Sequence, residues 1–504
     1  MIKMKRINVL LKIAVFIFIA VIVFGACTQK KKENKATELR FGFTTEPATL
    51  DPLNAANTAD GRRILFNVFE GLVKPNSEGR LLPCIAESWT VEKNALVYNF
   101  ILRENVYFHD GSFVNSSDVK FSLDTAIAAG FIGLSNIADV SVAGDRQVTV
   151  TLKSPDPEFL PYLTLGIVKA GNIDREKNII GTGPYLIESY TLQQNIVLKK
   201  FENYWQSGLP HLEKIVIVFY ANFDTLIVAM RGGSIDGTSI TGGMVASLNK
   251  KQFDFFYNYS AAVQLLALNN DFPPLNDIRV RRAINYGIDV EGIIDSAFFG
   301  LGSLSGSPLI PGLTEYYQDG LEYPYNPETA RSLLSEAGYN EGNKPTIEIT
   351  IPSSYSMHVD TAQVIVNQLS LIGIDSTIKL VDWATWLSDV YIGRQYQATI
   401  ISLDSPNVSP RSFLTRYQST DNSNFINFNS PDFDNIYNSA LKETDNEKRV
   451  QLYKEAQRII TENAASVYIQ DIEYFIALRK DTFSGVLNYP LYVINFAAIY
   501  GIEK

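Results

Sequence analysis

The sequence predicts an α/β protein, because strand signals and helix signals alternate along the chain. Residues 96–102 alternate in polarity as one face of a sheet would require, and residues 346–352 repeat that pattern downstream. A helix signal begins at Asn326, places Pro327 in the first turn and stops at Gly338. The chain has 504 residues without internal repeats, which indicates two or three domains.

The remaining elements follow in the same alternating order. Strands are predicted at 39–46, 146–154, 211–220 and 376–381, and after the helix within 446–469. Helices are predicted at 62–73, 115–127, 277–298 (as a pair), 360–374, 382–387 and in the first part of 446–469. The helix at 115–127 takes Ser116 or Ser117 as its N-cap and has Asp118 in its first turn.

The N-terminal residues 1–26 indicate an export signal. An apolar stretch at 13–26 follows four basic residues, Lys3, Lys5, Arg6 and Lys12. The stretch is short for a membrane span, which needs about 20 residues. Small residues precede Cys27, a pattern that resembles a bacterial lipobox, and residues 27–37 are polar enough for a flexible tether. Lipidation of Cys27 would anchor the protein outside the cytoplasm, and the alternative is an uncleaved anchor helix.

Charge and cysteine content exclude other classes of protein. The net charge of −10 and the isoelectric point near 5.1 argue against nucleic-acid binding, because a polyanion would be repelled. Cys84 is the second of two cysteines and lies between apolar residues, so we expect a buried thiol and no disulfide in the body of the protein.

No catalytic or metal-binding pattern stands out. The three histidines, His109, His211 and His358, are far apart and have no cysteine, histidine or paired carboxylate at ligand spacing. A nucleophile elbow and a glycine-rich phosphate loop are also missing from the sequence. We therefore predict a binding protein without a cofactor or metal, and keep an exported hydrolase as the alternative.

Nine segments resemble, in order, the bacterial extracellular solute-binding proteins of family 5, the peptide- and nickel-type receptors of ABC importers. The most specific is "LALNNDFPPLNDIRVRRAINYGID", at 266–289. The others lie at 50–73, 81–124, 181–190, 201–215, 233–240, 325–339, 382–387 and 447–460. The resemblance covers nearly all of the chain after the signal segment.

The resemblance implies a type II periplasmic-binding fold, with two lobes joined by a hinge and an inserted α/β subdomain. Lobe 1 would comprise 38–75, 176–265 and the C-terminal return 484–504. The inserted subdomain would span 76–175, and lobe 2 would span 266–483. The implied partners are an ABC permease and its ATPase, with the receptor itself a monomer.

The resemblance also implies a set of ligand-binding residues in the cleft. The candidates are Asn57, Thr58, Thr241, Gly242, Trp383, Ser402, Leu403 and Asp404. Peptide receptors of the family have Gly-Trp-x-x-Asp four residues before a proline, and that aspartate binds the peptide α-ammonium. Here Ser402 and Leu403 replace Gly-Trp, Pro406 stands four residues before Pro410, and the nearest acid is Asp404.

Three interpretations of Asp404 follow. It binds the ammonium after a local shift, it is a turn residue beside Ser405, or the ligand has no free amine. The function predicted from the resemblance is capture of oligopeptides for import. A non-peptide solute, either an oligosaccharide or a nickel chelate, is the alternative on the same fold.

Overall fold

The computed structural model describes residues 35–54, 59–131, 133–245, 247–258, 262–405, 407, 409–472, 474–489, 491 and 493–503. The predicted signal segment, Cys27 and most of the predicted tether lie outside these ranges. The candidates Asn57 and Thr58 lie outside them as well. No helix in the described ranges has both the length and the apolar character that crossing a membrane requires.

Lobe 1 is built on a seven-stranded mixed sheet. In spatial order its strands are Phe253–Asn258, Tyr474–Arg479, Gly237–Thr241, Glu38–Phe43, Lys214–Phe219, Asn195–Lys200 and Tyr185–Thr191. The three central strands, Gly237–Thr241, Glu38–Phe43 and Lys214–Phe219, run parallel. Helices Ala59–Leu65, Phe223–Gly232 and Gly242–Val245 belong to this lobe. The predicted helix at 62–73 is wrong in its second half, which forms turns and then the short strand Val73–Pro75 paired with Leu81–Pro83.

Lobe 2 is built on a six-stranded sheet. Its strands, in spatial order, are Ser303–Leu304, Ser466–Asp471, Ala262–Leu268, Ala398–Asp404, Thr346–Pro352 and Asp375–Val381. The accompanying helices are Ile278–Gly287, Val290–Phe298, Pro327–Glu336, Ser356–Ile372, Trp383–Thr385 with the π-helical Trp386–Ile392, Pro410–Leu414, Pro431–Ala440 and Asn446–Glu462. The predicted helices at 277–298, 360–374 and in 446–469 are confirmed as elements.

The inserted subdomain contains a four-stranded antiparallel sheet and the helix Ser116–Ala128. The strands lie in the order Ala86–Glu92, Val97–Leu102, Gln147–Leu152 and Ile137–Ala143. The N-cap of the helix is Asn115, not Ser116 or Ser117. Asn115 accepts from the backbone of Ser117 and Asp118, and the Asp118 carboxylate accepts from the Asn115 N–H in return. An asparagine side chain reaches these orphan amides as well as a serine does.

Short elements complete the chain. The strands Phe483–Ser484 and Tyr500–Gly501 pair near the C-terminus. Single 3-10 turns occur at Leu134–Asn136, Leu160–Thr164, Thr415–Tyr417 and Phe496–Ala498.

Among the described strands, two pairs of consecutive strands lie in different large sheets. Phe253–Asn258 precedes Ala262–Leu268, and Ser466–Asp471 precedes Tyr474–Arg479, so the chain crosses between the sheets at these two places. Asn258 pairs with Tyr474 in one sheet, and Val263 pairs with Asp471 in the other. The strands that flank the two crossings are therefore antiparallel neighbours on both sides of the junction.

These crossings bear on the predicted ranges. Tyr474–Arg479 lies in the lobe 1 sheet, although the range 266–483 assigns it to lobe 2. The strand Ala262–Leu268 likewise begins before the predicted limit at 265. The sequence of an apolar strand does not specify which sheet the strand joins, so the limits of lobe 2 at 265 and 483 could not be predicted from the sequence. The other range limits stay predictions.

One apolar core joins the inserted subdomain to lobe 1. The core includes Leu39 and Ile217 of the lobe 1 sheet together with Phe100 and Val150 of the inserted sheet. At this junction a Cβ on Gly181 would lie 1.9 Å from the carbonyl oxygen of Val68, so only glycine fits. Lobe 2 has its own two cores, one on each side of its sheet.

Candidate ligand-binding cleft

The carboxyl ends of the strands in both large sheets meet at the junction between the lobes. In lobe 1 the parallel strands end at Phe43, Phe219 and Thr241, on the edge where Asn258 leaves the sheet. In lobe 2 the strands Thr346–Pro352, Asp375–Val381 and Ala398–Asp404 are parallel and end beside Ala262. Ligands of open α/β sheets bind outside the carboxyl ends of the strands, so the junction is the candidate cleft.

The sequence candidates that the structure describes lie at these edges. Thr241 ends its strand and Gly242 begins the next short helix in lobe 1. Trp383 follows the strand Asp375–Val381 in lobe 2. Ser402, Leu403 and Asp404 end the strand Ala398–Asp404. Their role in binding remains a prediction, and Asn57 and Thr58 lie outside the described residues.

Asp404 presents an exposed carboxylate at the lobe 2 edge. Within the described residues this carboxylate takes part in no ion pair or side-chain hydrogen bond, while the Asp404 carbonyl oxygen accepts from Arg416 Nη2 at 3.3 Å. Asp404 is the last residue of its strand and pairs with Ala262, so it is not a turn residue in this structure. Leu403 is half-buried and packs on a lobe 2 core, and Ser402 pairs with Gln264 in the sheet.

An aromatic wall stands beside this edge. Trp383 is 44% exposed and Tyr355 is 39% exposed, and their ring centroids lie 5.7 Å apart. Trp383 stacks on the buried Trp386 at 5.1 Å, and Trp386 Nε1 donates to Thr399 Oγ1 at 2.9 Å. This hydrogen bond fixes the orientation of the buried Trp386 ring, on which the exposed Trp383 ring is stacked. Tyr355 was missed from sequence, although its place just after the strand Thr346–Pro352 was a usable signal.

A buried polar row lies beneath the lobe 2 edge. Gln264 Nε2 donates to His358 Nδ1 at 3.0 Å and to Thr361 Oγ1 at 3.1 Å, and Gln264 Oε1 accepts from Gln470 Nε2 at 2.8 Å. The amide nitrogen can only donate, so His358 Nδ1 accepts and the ring is neutral. Burial lowers the pKa of His358 to about 4.

The lobe 1 edge carries an ordered loop and a buried cation. Leu50 N–H donates to Glu176 at 3.2 Å, and Arg175 Nε donates to Asp51 at 2.8 Å, which fixes the loop that leads to residues 55–58. The buried Arg63 donates to Ser239, and its guanidinium lies 4.4 Å from the ring centroid of Phe43. Lobe 1 thus contributes a positive group near its edge, and lobe 2 contributes the Asp404 carboxylate.

The comparisons with known proteins now identify the family. A family model described as bacterial extracellular solute-binding proteins, family 5 Middle, matches residues 80–425. The chain belongs to family 5 of the bacterial extracellular solute-binding proteins. This family consists of solute-binding proteins rather than enzymes, and its members supply ABC importers from outside the cytoplasm.

Individual relatives of family 5 align over most of the chain. Heme-binding protein A of Haemophilus influenzae is 27% identical over 555 aligned residues, covering 98% of this chain and 99% of that protein. Glutathione-binding protein GsiB of Salmonella typhi is 28% identical over 448 residues, covering 82% and 84%. The crystal structure of the substrate-binding protein CtaP of Listeria monocytogenes superposes with a TM-score of 0.83 at 21% identity, covering 93% of this chain and 100% of that one.

The predicted fold is confirmed by these neighbours: the protein has the two-lobed type II periplasmic-binding fold of family 5. It is a substrate-binding protein that takes up a small ligand for an ABC importer. Within the described residues, no group of three histidine, cysteine, aspartate or glutamate side chains is placed to hold a metal ion.

The low pKa of His358 predicts an acid-sensitive stability. An unfolded histidine has a pKa near 6.5, so between pH 6.5 and about pH 4 His358 is protonated in the unfolded chain but neutral in the folded protein. Stability from this residue is present at pH 7 and falls as the pH drops, by about 2 kcal/mol between pH 7 and pH 5. Urea unfolding of wild type and His358→Gln at both pH values measures the difference.

The exposed His211 supplies a matched control, since His211→Gln removes a histidine without touching the buried row. Wild type and His211→Gln should both lose about 2 kcal/mol more than His358→Gln between pH 7 and pH 5. Equal losses in all three proteins would contradict a neutral, buried His358.

Proposed function

We propose that the protein captures short peptides with a free amine and delivers them to its ABC importer. The observation that carries this proposal is the exposed Asp404 carboxylate, which has no charged partner among the described residues and ends a strand at the cleft. A peptide α-ammonium has the opposite charge and three N–H donors, so it suits such a carboxylate.

The rest of a peptide also matches what surrounds Asp404. An extended peptide can pair its backbone with exposed groups at strand ends, as in β-augmentation. Tyr355 and Trp383 offer adjacent aromatic faces to a ligand side chain.

A second candidate is a planar aromatic ligand. The exposed pair Tyr355 and Trp383 favours it, because an aromatic plane can stack on a firmly backed ring. A relative that spans nearly the whole chain is a heme-binding protein, and another is a glutathione-binding protein, so both ligand classes have a related example. A planar ligand would not depend on the charge of Asp404.

The anchoring of the protein is proposed from Cys27. Small residues precede this cysteine after an apolar stretch, and a polar segment follows it. Diacylation there would hold the receptor at the outer face of the cell membrane, where the importer lies, because two chains give a stable attachment. A monomer on a tether of this kind can present its cleft to the permease.

Asp404→Asn should weaken the binding of free peptides. It leaves the ammonium without its charge partner in a closed cleft, which costs at least about 2 kcal/mol, or about thirtyfold in Kd. N-acetylated peptides should bind wild type weakly and the variant no worse. Isothermal titration calorimetry of both proteins with free and acetylated forms of one short peptide measures all four affinities.

Asp375→Asn is the matched control, because Asp375 begins a strand of the same sheet at the opposite edge. It should bind both peptide forms as wild type does. Equal affinities in the four combinations would remove Asp404 from the site. Hemin binding without peptide binding would favour the planar ligand instead.

Cys27→Ala should abolish acylation. We expect the variant to leave the membrane fraction or to keep its signal segment, because alanine has no thiol to which an acyl chain could be attached. Cell fractionation with metabolic palmitate labelling, and the intact mass of the purified protein, provide the measurement. A labelled, membrane-bound Cys27→Ala protein would contradict the anchor.

A further inference from the structure

The inserted subdomain touches lobe 2 through a buried cluster of charged and polar groups. Arg411 Nη1 donates to Asp156 Oδ2 at 2.7 Å, and Ser409 Oγ donates to Glu158 Oε2 at 2.6 Å. Arg449 Nε lies 3.8 Å from Glu158 Oε1. Asp156 and Glu158 are 5% and 6% exposed. These five residues are called the clasp.

The clasp carboxylates are fixed to the body of lobe 1. Phe159, the residue after Glu158, is fully buried in the core that the inserted subdomain shares with the lobe 1 sheet. Tyr98 donates to the backbone carbonyl of Asp156, and Asp156 Oδ1 accepts from the Glu158 N–H at 3.0 Å. Because that core is continuous, the subdomain must move with lobe 1 when the lobes separate.

On the lobe 2 side the clasp follows the candidate ligand strand directly. Asp404 ends that strand, and Ser409 caps the helix Pro410–Leu414. Asn407 is attached to the start of this helix, since its Oδ1 accepts from Ser409 N–H at 3.1 Å and from Ser412 Oγ at 2.7 Å. Asp404 and Ser409 are only five residues apart, so we expect a displacement of Asp404 by a ligand to affect Ser409 and Arg411.

The chemistry of the clasp suits a contact that opens. Burial raises the pKa of the Glu158 carboxyl, with the hydrogen bond from Ser409 acting in the opposite direction. The paired arrangement thus bears a desolvation cost, which water would relieve if the contact opened. The core on the other side of the subdomain is apolar and would not tolerate hydration. The apolar contact with lobe 1 therefore favours a permanent association, whereas the polar contact with lobe 2 can open.

We propose that the clasp holds the inserted subdomain against lobe 2, resists separation of the lobes and thereby slows ligand release. The proposal gives the inserted subdomain a role in the closure of the cleft, away from the ligand itself. It rests on the proposed function only in that release refers to the ligand captured in the cleft.

Lobe separation in the ligand-free protein tests the clasp without any assumption about the ligand. Val228 in lobe 1 and Leu371 in lobe 2 are exposed, and spin labels on cysteines there report the distance between the lobes. The labelled proteins carry Cys27→Ala, and Cys84 is buried. Double electron–electron resonance should show a larger long-distance population in Arg411→Gln than in wild type.

Matched variants separate the clasp from a general loss of charge. Arg458→Gln, which removes an exposed arginine paired with Glu455 and Glu462 on the same lobe, should leave the distances unchanged. Asp156→Asn combined with Arg411→Gln should open the lobes no further than Arg411→Gln alone, because the two residues share one contact. Glu158→Gln is an independent second variant for the other contact.

Peptide release gives the second measurement. Stopped-flow dissociation from Arg411→Gln should be about tenfold faster than from wild type, with association changed much less. Wild-type distances and release rates in both Arg411→Gln and Glu158→Gln would overturn the clasp. Shifted distances in a protein that binds no peptide would leave the clasp standing and overturn the peptide proposal.

Discussion

The pairing of the strands that flank the two crossings between the sheets is the constraint on which the rest of the structure depends. Asn258 pairs with Tyr474 on one side of the junction, and Val263 pairs with Asp471 on the other. A pair of adjacent strands can bend together but cannot slide past each other without breaking the ladder. The same crossing brings the carboxyl edges of both sheets to one place, so the hinge and the cleft have a common origin.

The inserted subdomain makes contacts of different polarity with the two lobes, and the difference agrees with whether each contact has to open. The inserted subdomain is joined to lobe 1 through a continuous apolar core, at which Gly181 allows a close backbone approach. Its contact with lobe 2 includes Leu81, which packs against a lobe 2 core, but its buried part is the polar clasp, whose groups water can solvate. Interfaces between parts that move are more polar than cores, and the distribution here agrees with that rule.

Local sequence signals predicted elements such as Val97–Leu102, Thr346–Pro352 and Pro327–Glu336. Thr241 and Asp404 became candidates through the resemblance to family 5, and the strands that they end were not predicted from the sequence. The helix at 62–73 was wrong because its apolar spacing continues beyond Leu65 into turns, where tertiary contacts decide the backbone. Contacts such as Asp156 with Arg411 carry no local signal, because the partners are 255 residues apart.

The most direct test of a hinged, two-lobed receptor is the radius of gyration with and without ligand. Small-angle X-ray scattering of the protein, stripped of bound solute and then saturated with a library of short peptides, should show a smaller radius on binding. Closure over a ligand about the junction between the two sheets brings the lobes together and so contracts the molecule. An unchanged radius in a sample that calorimetry shows to be saturated would contradict closure about this hinge.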